Sequence, residues 1–287
     1  MTQSACRSGA TAVVTGAASG IGFALSSAFA DEGMNVLMLD IEPSALLAAA
    51  SRLEHTGANV EVLVTDVTSP SDLQRAATFA DERFGGADII ANNAGVSVKG
   101  RAWELTLADW QWVVDVCLWG TINGITAFVP GMVERSRPAH VLNTGSMMAL
   151  GAHANGAPYQ AAKSAIAAIS ESLQFDLEEA APHVGVTLLC PGYTATNIRS
   201  GSRNRQKRYG TREPATYRSP PPVTSVVHAD PAEIASLAIE AVKQRLFYAF
   251  ADWDVWEPVV ADRFDTLLAR RPPRPLQLPP TGSPTWP

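Results

Sequence analysis

The segment Thr15-Gly16-Ala17-Ala18-Ser19-Gly20-Ile21-Gly22 restricts the fold of this 287-residue chain more than any other. It follows a short apolar, β-branched run, Ala10 to Thr15, and leads into a helical pattern from Ile21 to Glu32 that stops at Gly33. A strand that breaks into glycines and then into a helix lets backbone approach a pyrophosphate. The helix N-terminus behind it offers free N–H groups and a positive dipole end. The spacing is Gly-x-x-x-Gly-x-Gly, not the Gly-x-Gly-x-x-Gly of the common dinucleotide fingerprint. A tight strand–helix connection with no ligand is the alternative.

The pattern repeats along the chain. Val36 to Leu39 predicts a strand ending at Asp40, Ser44 to His55 a helix behind Pro43, and Val60 to Val64 a strand ending near Asp66. Ser71 to Phe84 predicts a helix closed by Gly85-Gly86, and Ala87 to Ala91 a strand running into Asn92-Asn93-Ala94-Gly95. Thr106, with Asp109 in the capping-box position, predicts a long helix through about Glu134. His140 to Asn143 and Val184 to Cys190 read as strands on either side of a helix from Ala157 to Glu179. Pro231 to Arg245, a short strand near Phe247 to Ala249, and Val255 to Arg270 complete the set. Such alternation predicts an α/β fold: a doubly wound, mostly parallel sheet with helices on both faces and right-handed crossovers. One domain is expected over residues 1–270, followed by a proline-dense, non-helical tail over 271–287. Tyr193 to Asp230, rich in Arg, Pro, Ser and Gly, interrupts the domain beyond a strand end and is expected to be a substrate lid.

Composition narrows the function. A net charge of −6 argues against nucleic acid and acidic membranes as partners. No apolar run approaches the ~20 residues of a membrane helix, and no signal peptide is evident at the N-terminus. The odd, dispersed cysteines Cys6, Cys117 and Cys190 fit a cytoplasmic chain without structural disulfides. The equally dispersed histidines leave no metal-ligand spacing.

The chemistry concentrates on Tyr159 and Lys163, four apart on one helix face, thirteen residues after Ser146. A cation held against a phenol lowers its pKa, typically by ~1–3 units, so such a tyrosine exchanges protons with an alcohol near neutral pH. Ser146 could hold the same alcohol oxygen. Asp40 stands eighteen residues beyond Gly22, near the separation expected for a carboxylate on a ribose. That carboxylate repels a 2′-phosphate, and no basic residue follows at Ile41 or Glu42, which favours NAD over NADP. An Asx turn is the alternative for Asp40. Asp66, with Val67 beside it, either receives an adenine amino group or caps the next helix. Asn92 either touches the ligand or ties strand ends together.

These residues together resemble the short-chain dehydrogenase/reductase family. T-G-A-A-S-G-I-G, Asp40, Asp66-Val67, N-N-A-G, Ser146, Tyr159-x-x-x-Lys163 and Pro191-Gly192 occur in its order and spacing from about Ala10 to Arg270. The resemblance implies about seven strands, a nicotinamide cofactor, and interconversion of a secondary alcohol and its ketone. It implies that Tyr159 is the general acid/base, that Lys163 lowers its pKa and binds ribose hydroxyls, and that Ser146 orients the substrate oxygen. Gly16, Ser19, Gly20, Ile21, Gly22, Asp40, Ile41, Asp66, Val67, Asn93, Ala94 and Gly95 would then line the dinucleotide. Pro191, Gly192, Thr194 and Thr196 would line its nicotinamide side. Cys117 stands where the family places an Asn; it keeps a backbone carbonyl for a water linked to Lys163 but lacks the amide, and is expected to be an inert small hydrophobe. Met148 and Tyr193, with Ser146 and Tyr159, suggest a pocket for a bulky, largely apolar alcohol or ketone. The basic lid is read either as recruiting an acid or as a solvated face. A homo-oligomer is expected, a tetramer or else a dimer, with Trp110, Val113 and Val114 offering apolar surface.

Overall fold

The computed structural model describes residues 4–54, 57–151, 154–211 and 229–274. Residues 212–228 of the expected lid and 275–287 of the expected tail lie outside the described residues. In chain order the elements are β1 (Thr11–Thr15), α1 (Gly20–Asp31), β2 (Asn35–Asp40), α2 (Pro43–Glu54), β3 (Val60–Val64), α3 (Pro70–Phe84) and β4 (Ile89–Asn92). There follow α4 (Leu107–Val114), a π-helical turn at Asp115–Trp119, α5 (Gly120–Arg135), β5 (Ala139–Thr144), α6 (Ala157–Ala180) and β6 (Val184–Cys190). Last come α7 (Pro231–Gln244), β7 (Tyr248–Phe250) and α8 (Trp253–Leu268).

The seven strands form one parallel sheet in the order β3-β2-β1-β4-β5-β6-β7. Every residue of β1, β4, β5 and β6 is buried, as continuous apolar strands covered on both faces must be. Leu25 and Phe29 of α1, Leu46 of α2 and Ile234 of α7 pack on one face. Leu73 of α3, Trp112 of α4, Phe128 of α5 and Leu177 of α6 pack on the other. A third cluster joins Met147 and Ile166 to Trp256 of α8.

Three expectations change. The helix predicted from Thr106 does begin on a capping box: Asp109 N donates to Thr106 Oγ1 and Thr106 N donates to Asp109 Oδ2, both at 3.1 Å. It is not uniform, however, because the π turn interrupts it. Contrary to the expectation of no membrane-length run, Leu107–Arg135 is long and apolar enough to cross a membrane, with a mean hydropathy of 1.4 over its best window. Half of that window is buried in the fold, and along the whole stretch Trp112, Phe128 and Met132 belong to the core. The surface set also differs: Val113 is wholly buried, while Trp103, Leu107, Trp119 and Phe175 are exposed.

His140, inside β5, illustrates how the sheet limits protonation. Thr187 Oγ1 donates to Leu246 O at 2.7 Å, so it accepts from His140 Nε2, also at 2.7 Å. That requires the neutral ring protonated at Nε2. Burial, reinforced by the Arg245 charge, pushes the His140 pKa down to about 3. The unfolded chain takes this proton near pH ~6.5, whereas the native state refuses it until about 3. Stability should therefore fall with decreasing pH across that window, by about 1.4 kcal/mol per pH unit from this group alone. Urea unfolding at pH 7 and pH 5 checks this: His140→Gln, which cannot take the proton, should lose less stability between those pH values than the unaltered protein.

Candidate active site

The strand order reverses between β1 and β4, opening a crevice beyond their carboxyl ends. Thr15, ending β1, stitches that crevice. Its hydroxyl donates to Ala91 O at 3.2 Å and accepts from Asn93 N at 2.9 Å and Ala94 N at 3.1 Å. Asn93 Nδ2 returns a bond to Thr15 O at 3.0 Å. Gly16 and Gly20 have φ of +66° and +55°, and a Cβ on Gly22 would lie 2.0 Å from Gly16 O. Only glycine at position 22 lets α1 pack this closely on the turn. Ser19, at the N-cap of α1, makes no side-chain bond to the helix amides, and the first turn carries no acid. The N–H groups there remain able to meet an anion. Thr196, from the segment after β6, sits over the turn: its Cγ2 is 3.1 Å from where a Cβ on Gly20 would be.

The acids along the rim are occupied. Asp40 Oδ2 accepts from Ala18 N and Oδ1 from Glu42 N, both at 3.0 Å. The Asx geometry is thus present, and the same carboxylate braces the glycine turn. Burial raises the Asp40 pKa, with those backbone bonds opposing. Asp66 does not cap α3, since Ser69 does, with Asp72 N donating to its hydroxyl at 3.3 Å. Asn92 is structural: its Nδ2 donates to Asn143 Oδ1 at 2.9 Å, and Asn143 Nδ2 donates to Ser170 Oγ at 3.0 Å, tying β4, β5 and α6.

Beyond β5, three predicted residues meet. Lys163 is 3% exposed, and its ammonium donates to Thr144 O at 2.6 Å. Nζ stands 5.6 Å from the centroid of the Tyr159 ring. Ser146 stands close enough to the Tyr159 phenol to influence it, and its Oγ accepts from Met148 N at 3.1 Å. Sequence reasoning expected a lowered Tyr159 pKa. The direction is the reverse: burial, with Cys117 adding to it, pushes the phenol well above its usual value, opposed by the Ser146 hydroxyl. Burial likewise pulls Lys163 below its usual value. The ammonium is directed at the Thr144 carbonyl, so burial dominates at the phenol.

Cys117 lies in the π turn and is fully buried. It is not inert packing. Val96 N donates to its Sγ at 3.4 Å and Sγ donates to Val96 O at 3.3 Å, so the thiol serves both backbone groups of one loop residue. Its own carbonyl accepts from Thr121 Oγ1 at 2.9 Å, which leaves one acceptor position rather than two. Burial raises the thiol pKa. Gly95 separates it from Lys163: a Cβ there would be 3.7 Å from Cys117 Sγ and 3.8 Å from Lys163 Nζ.

The helix expected from Val255 to Arg270 forms as α8, but sequence reasoning did not place it at the site. A Cβ on Gly192 would lie 2.9 Å from Trp256 Nε1 and 3.2 Å from Asp252 Oδ2, so the start of α8 walls the Pro191-Gly192 side. Tyr193 stacks on Trp256 with ring centroids 6.2 Å apart. The insertion is pinched at its base, where Ala229 N donates to Tyr193 O at 2.8 Å and Ala195 N to Ala229 O at 3.1 Å. Residues 203–208 then reach the ends of β2 and β3 and the start of α4. Arg203 pairs with Glu42 at 2.8 Å, Arg205 with Asp109 at 2.5 Å and Arg208 with Asp66 at 3.3 Å. Arg203 and Arg208 remain exposed while paired, and Arg205 is buried with Asp109, so these three arginines tie the segment to the body of the fold. Only the long-range pairing of the acids reveals this.

A profile of the short chain dehydrogenase family matches residues 10–207. The chain is 37% identical over 269 residues to a 1-deoxy-11-beta-hydroxypentalenate dehydrogenase of Streptomyces exfoliatus, covering 92% of this chain and 91% of that protein. It is 33% identical over 201 residues, 70% of this chain and 65% of the other, to a C alpha-dehydrogenase of a Sphingobium species. Among solved structures, a short chain dehydrogenase/reductase from Burkholderia phymatum in complex with NAD superposes with a TM-score of 0.88 at 31% identity, covering 94% of this chain and 99% of that one. The crevice, the glycine turn and the Ser146–Tyr159–Lys163 cluster thus belong to a chain that is a member of the short chain dehydrogenase family.

Proposed function

We propose that this protein is an NAD(H)-dependent oxidoreductase that interconverts a bulky, largely apolar secondary alcohol and its ketone. The observation that carries this is the convergence of Ser146, Tyr159 and the buried Lys163 at the carboxyl end of β5, beside the glycine turn and its uncapped helix. The turn and the first amides of α1 would hold a pyrophosphate, Asp40 a ribose, Asp66 and Val67 the adenine end, and Lys163 the second ribose. Asn93, Ala94, Gly95, Thr194 and Thr196 would line the remainder. When bound, a nicotinamide supplies the two-electron hydride acceptor or donor. Ser146 holds the substrate oxygen. Tyr159 takes the hydroxyl proton in oxidation and returns it to the carbonyl oxygen in reduction. Met148, Tyr193 and Trp256 give the substrate side an aromatic, apolar wall, and the Streptomyces relative is named for a hydroxypentalenate. Exposed Trp103, Leu107, Trp119 and Phe175 support a homotetramer, or else a dimer, and the free, dispersed Cys6, Cys117 and Cys190 support a cytoplasmic setting.

Tyr159→Phe should lose ~10²–10⁴ in turnover while cofactor affinity, read by titration, stays nearly unchanged. Lys163→Ala should damage both. Because the phenol is pushed upward and oxidation needs phenolate, kcat/KM for oxidation should rise with pH from neutrality, whereas reduction, which uses the neutral phenol, should stay flat. Near-normal turnover by the Phe variant would remove Tyr159 from the mechanism.

NAD should be preferred over NADP, and Asp40→Ala should narrow the preference, each tenfold being ~1.4 kcal/mol. Measured kcat/KM favouring NADP in the unaltered protein contradicts the ribose assignment.

Cys117→Ala should fold but unfold at lower denaturant, by about 1–3 kcal/mol, because both backbone groups of Val96 lose their partner. Cys117→Asn, carrying a donor and an acceptor, should recover stability and keep turnover similar or modestly higher. Equal stability of the Ala variant would return Cys117 to inert packing.

A further inference from the structure

No basic residue follows Asp40 along the chain, yet the fold delivers one to the same strand end. Segment 203–208 lies as a strap on the ends of β2 and β3. Through it Arg203 reaches Glu42 across 161 positions of sequence. The Glu42 amide donates to Asp40 Oδ1 at 3.0 Å, so both carboxylates belong to one turn.

Glu42 turns its side chain to the strap. Arg203 Nη2 donates to Glu42 Oε1 at 2.8 Å and Arg203 Nε to Oε2 at 3.1 Å, a two-pronged pair that engages both carboxylate oxygens. Asn204 Nδ2 adds a further donor on Oε1 at 2.7 Å. Arg203 Nη1 donates to Ser200 O and Ser200 Oγ, both at 3.0 Å. The Arg203 bond draws the Glu42 carboxyl below its usual range, against the opposing effect of burial, so the pair is charged at neutral pH. Its side chains are 39% and 28% exposed, so a ligand group at this rim can reach them without a buried cavity.

The 2′-phosphate of NADP brings about −1.5 to −2 charges, as phosphate monoesters do near pH 7. A guanidinium at the end of β2 is the natural receptor for such a group. Here its fork is already filled and its charge already matched. Resting on the dinucleotide reading above, the structure assigns Glu42 to cofactor selection as a specificity-determining residue: it withholds Arg203 from a 2′-phosphate. Selection of NAD then has two layers. Asp40 repels the phosphate, and Glu42 removes the arginine that would receive it.

The test measures Kd for NAD and for NADP by calorimetric titration of the full chain, in the unaltered protein, Glu42→Gln, Arg203→Gln and the double variant. Exposed ion pairs add little stability, so these variants should melt close to the unaltered protein. The unaltered protein should bind NAD at least ~10-fold more tightly than NADP. Glu42→Gln should narrow that ratio by ~10-fold, through tighter NADP, the scale of one charge-assisted hydrogen bond. Glu42→Ala, which leaves Arg203 no side-chain oxygen at position 42, should do the same. With Arg203→Gln already present, Glu42→Gln should narrow the ratio by no more than ~3-fold, the share due to removing one screened negative charge. Equal narrowing with and without Arg203 overturns the assignment, as does an unchanged ratio in both Glu42 variants with melting temperatures intact; either result leaves the dinucleotide reading standing. Tighter binding of NADP than of NAD by the unaltered protein overturns it together with the Asp40 assignment. Failure of the unaltered protein to bind either dinucleotide overturns the dinucleotide reading as well.

Discussion

The Lys163 ammonium stays inside this protein because the end of β5 presents it with the Thr144 carbonyl at 2.6 Å. A lysine with 3% of its surface exposed needs such a partner, since a buried unpaired charge is prohibitively costly. That one contact fixes α6 against β5. Tyr159 follows from it, one helical turn earlier, and Ser146 two residues beyond the carbonyl is brought to the phenol. On the other side the glycine loop after β4 passes between the ammonium and Cys117, where the thiol serves the backbone of Val96. Burial sets the electrostatics of the cluster: it raises the phenol, lowers the ammonium and raises both Cys117 and Cys190, each favouring its neutral form.

The other half of the groove obeys a steric constraint. With Gly16 O 2.0 Å from where a Gly22 Cβ would be, α1 is held directly on the turn, and Thr15 ties that turn to the loop after β4. The strap closes over the far end by pairing its arginines with the acids at the ends of β2 and β3 and with Asp109 of α4. The fold thus walls one groove from three sources: the sheet edge, the strap and the start of α8.

Much of this was legible in the chain. Apolar runs alternating with helical patterns placed the strands within a residue or two of where they form, because a strand buried on both faces must be continuously apolar. Tyr159 and Lys163 were legible because their relation is local, one turn of helix. What was hidden depends on contacts distant in sequence. The π turn at Asp115–Trp119 leaves no composition signal in Asp-Val-Cys-Leu-Trp. Arg203 and Arg208 are exposed as the sequence suggests, but their partners Glu42 and Asp66 were hidden because they lie over a hundred residues away. Cys117 read as inert for the same reason: its partner, Val96, is on another element. The direction of the Tyr159 shift depends on burial, which sequence spacing does not report.

The central claim is that Tyr159 and its neighbours serve hydride exchange at a carbinol carbon. It is tested most directly with a panel of polycyclic secondary alcohols deuterated at that carbon, incubated with the protein and NAD, with the dinucleotide recovered for mass spectrometry. The account predicts that the reduced dinucleotide from a turned-over alcohol carries one deuterium and that the ketone carries none at that carbon. Dinucleotide that binds, is reduced by such an alcohol and yet recovers without deuterium would contradict it.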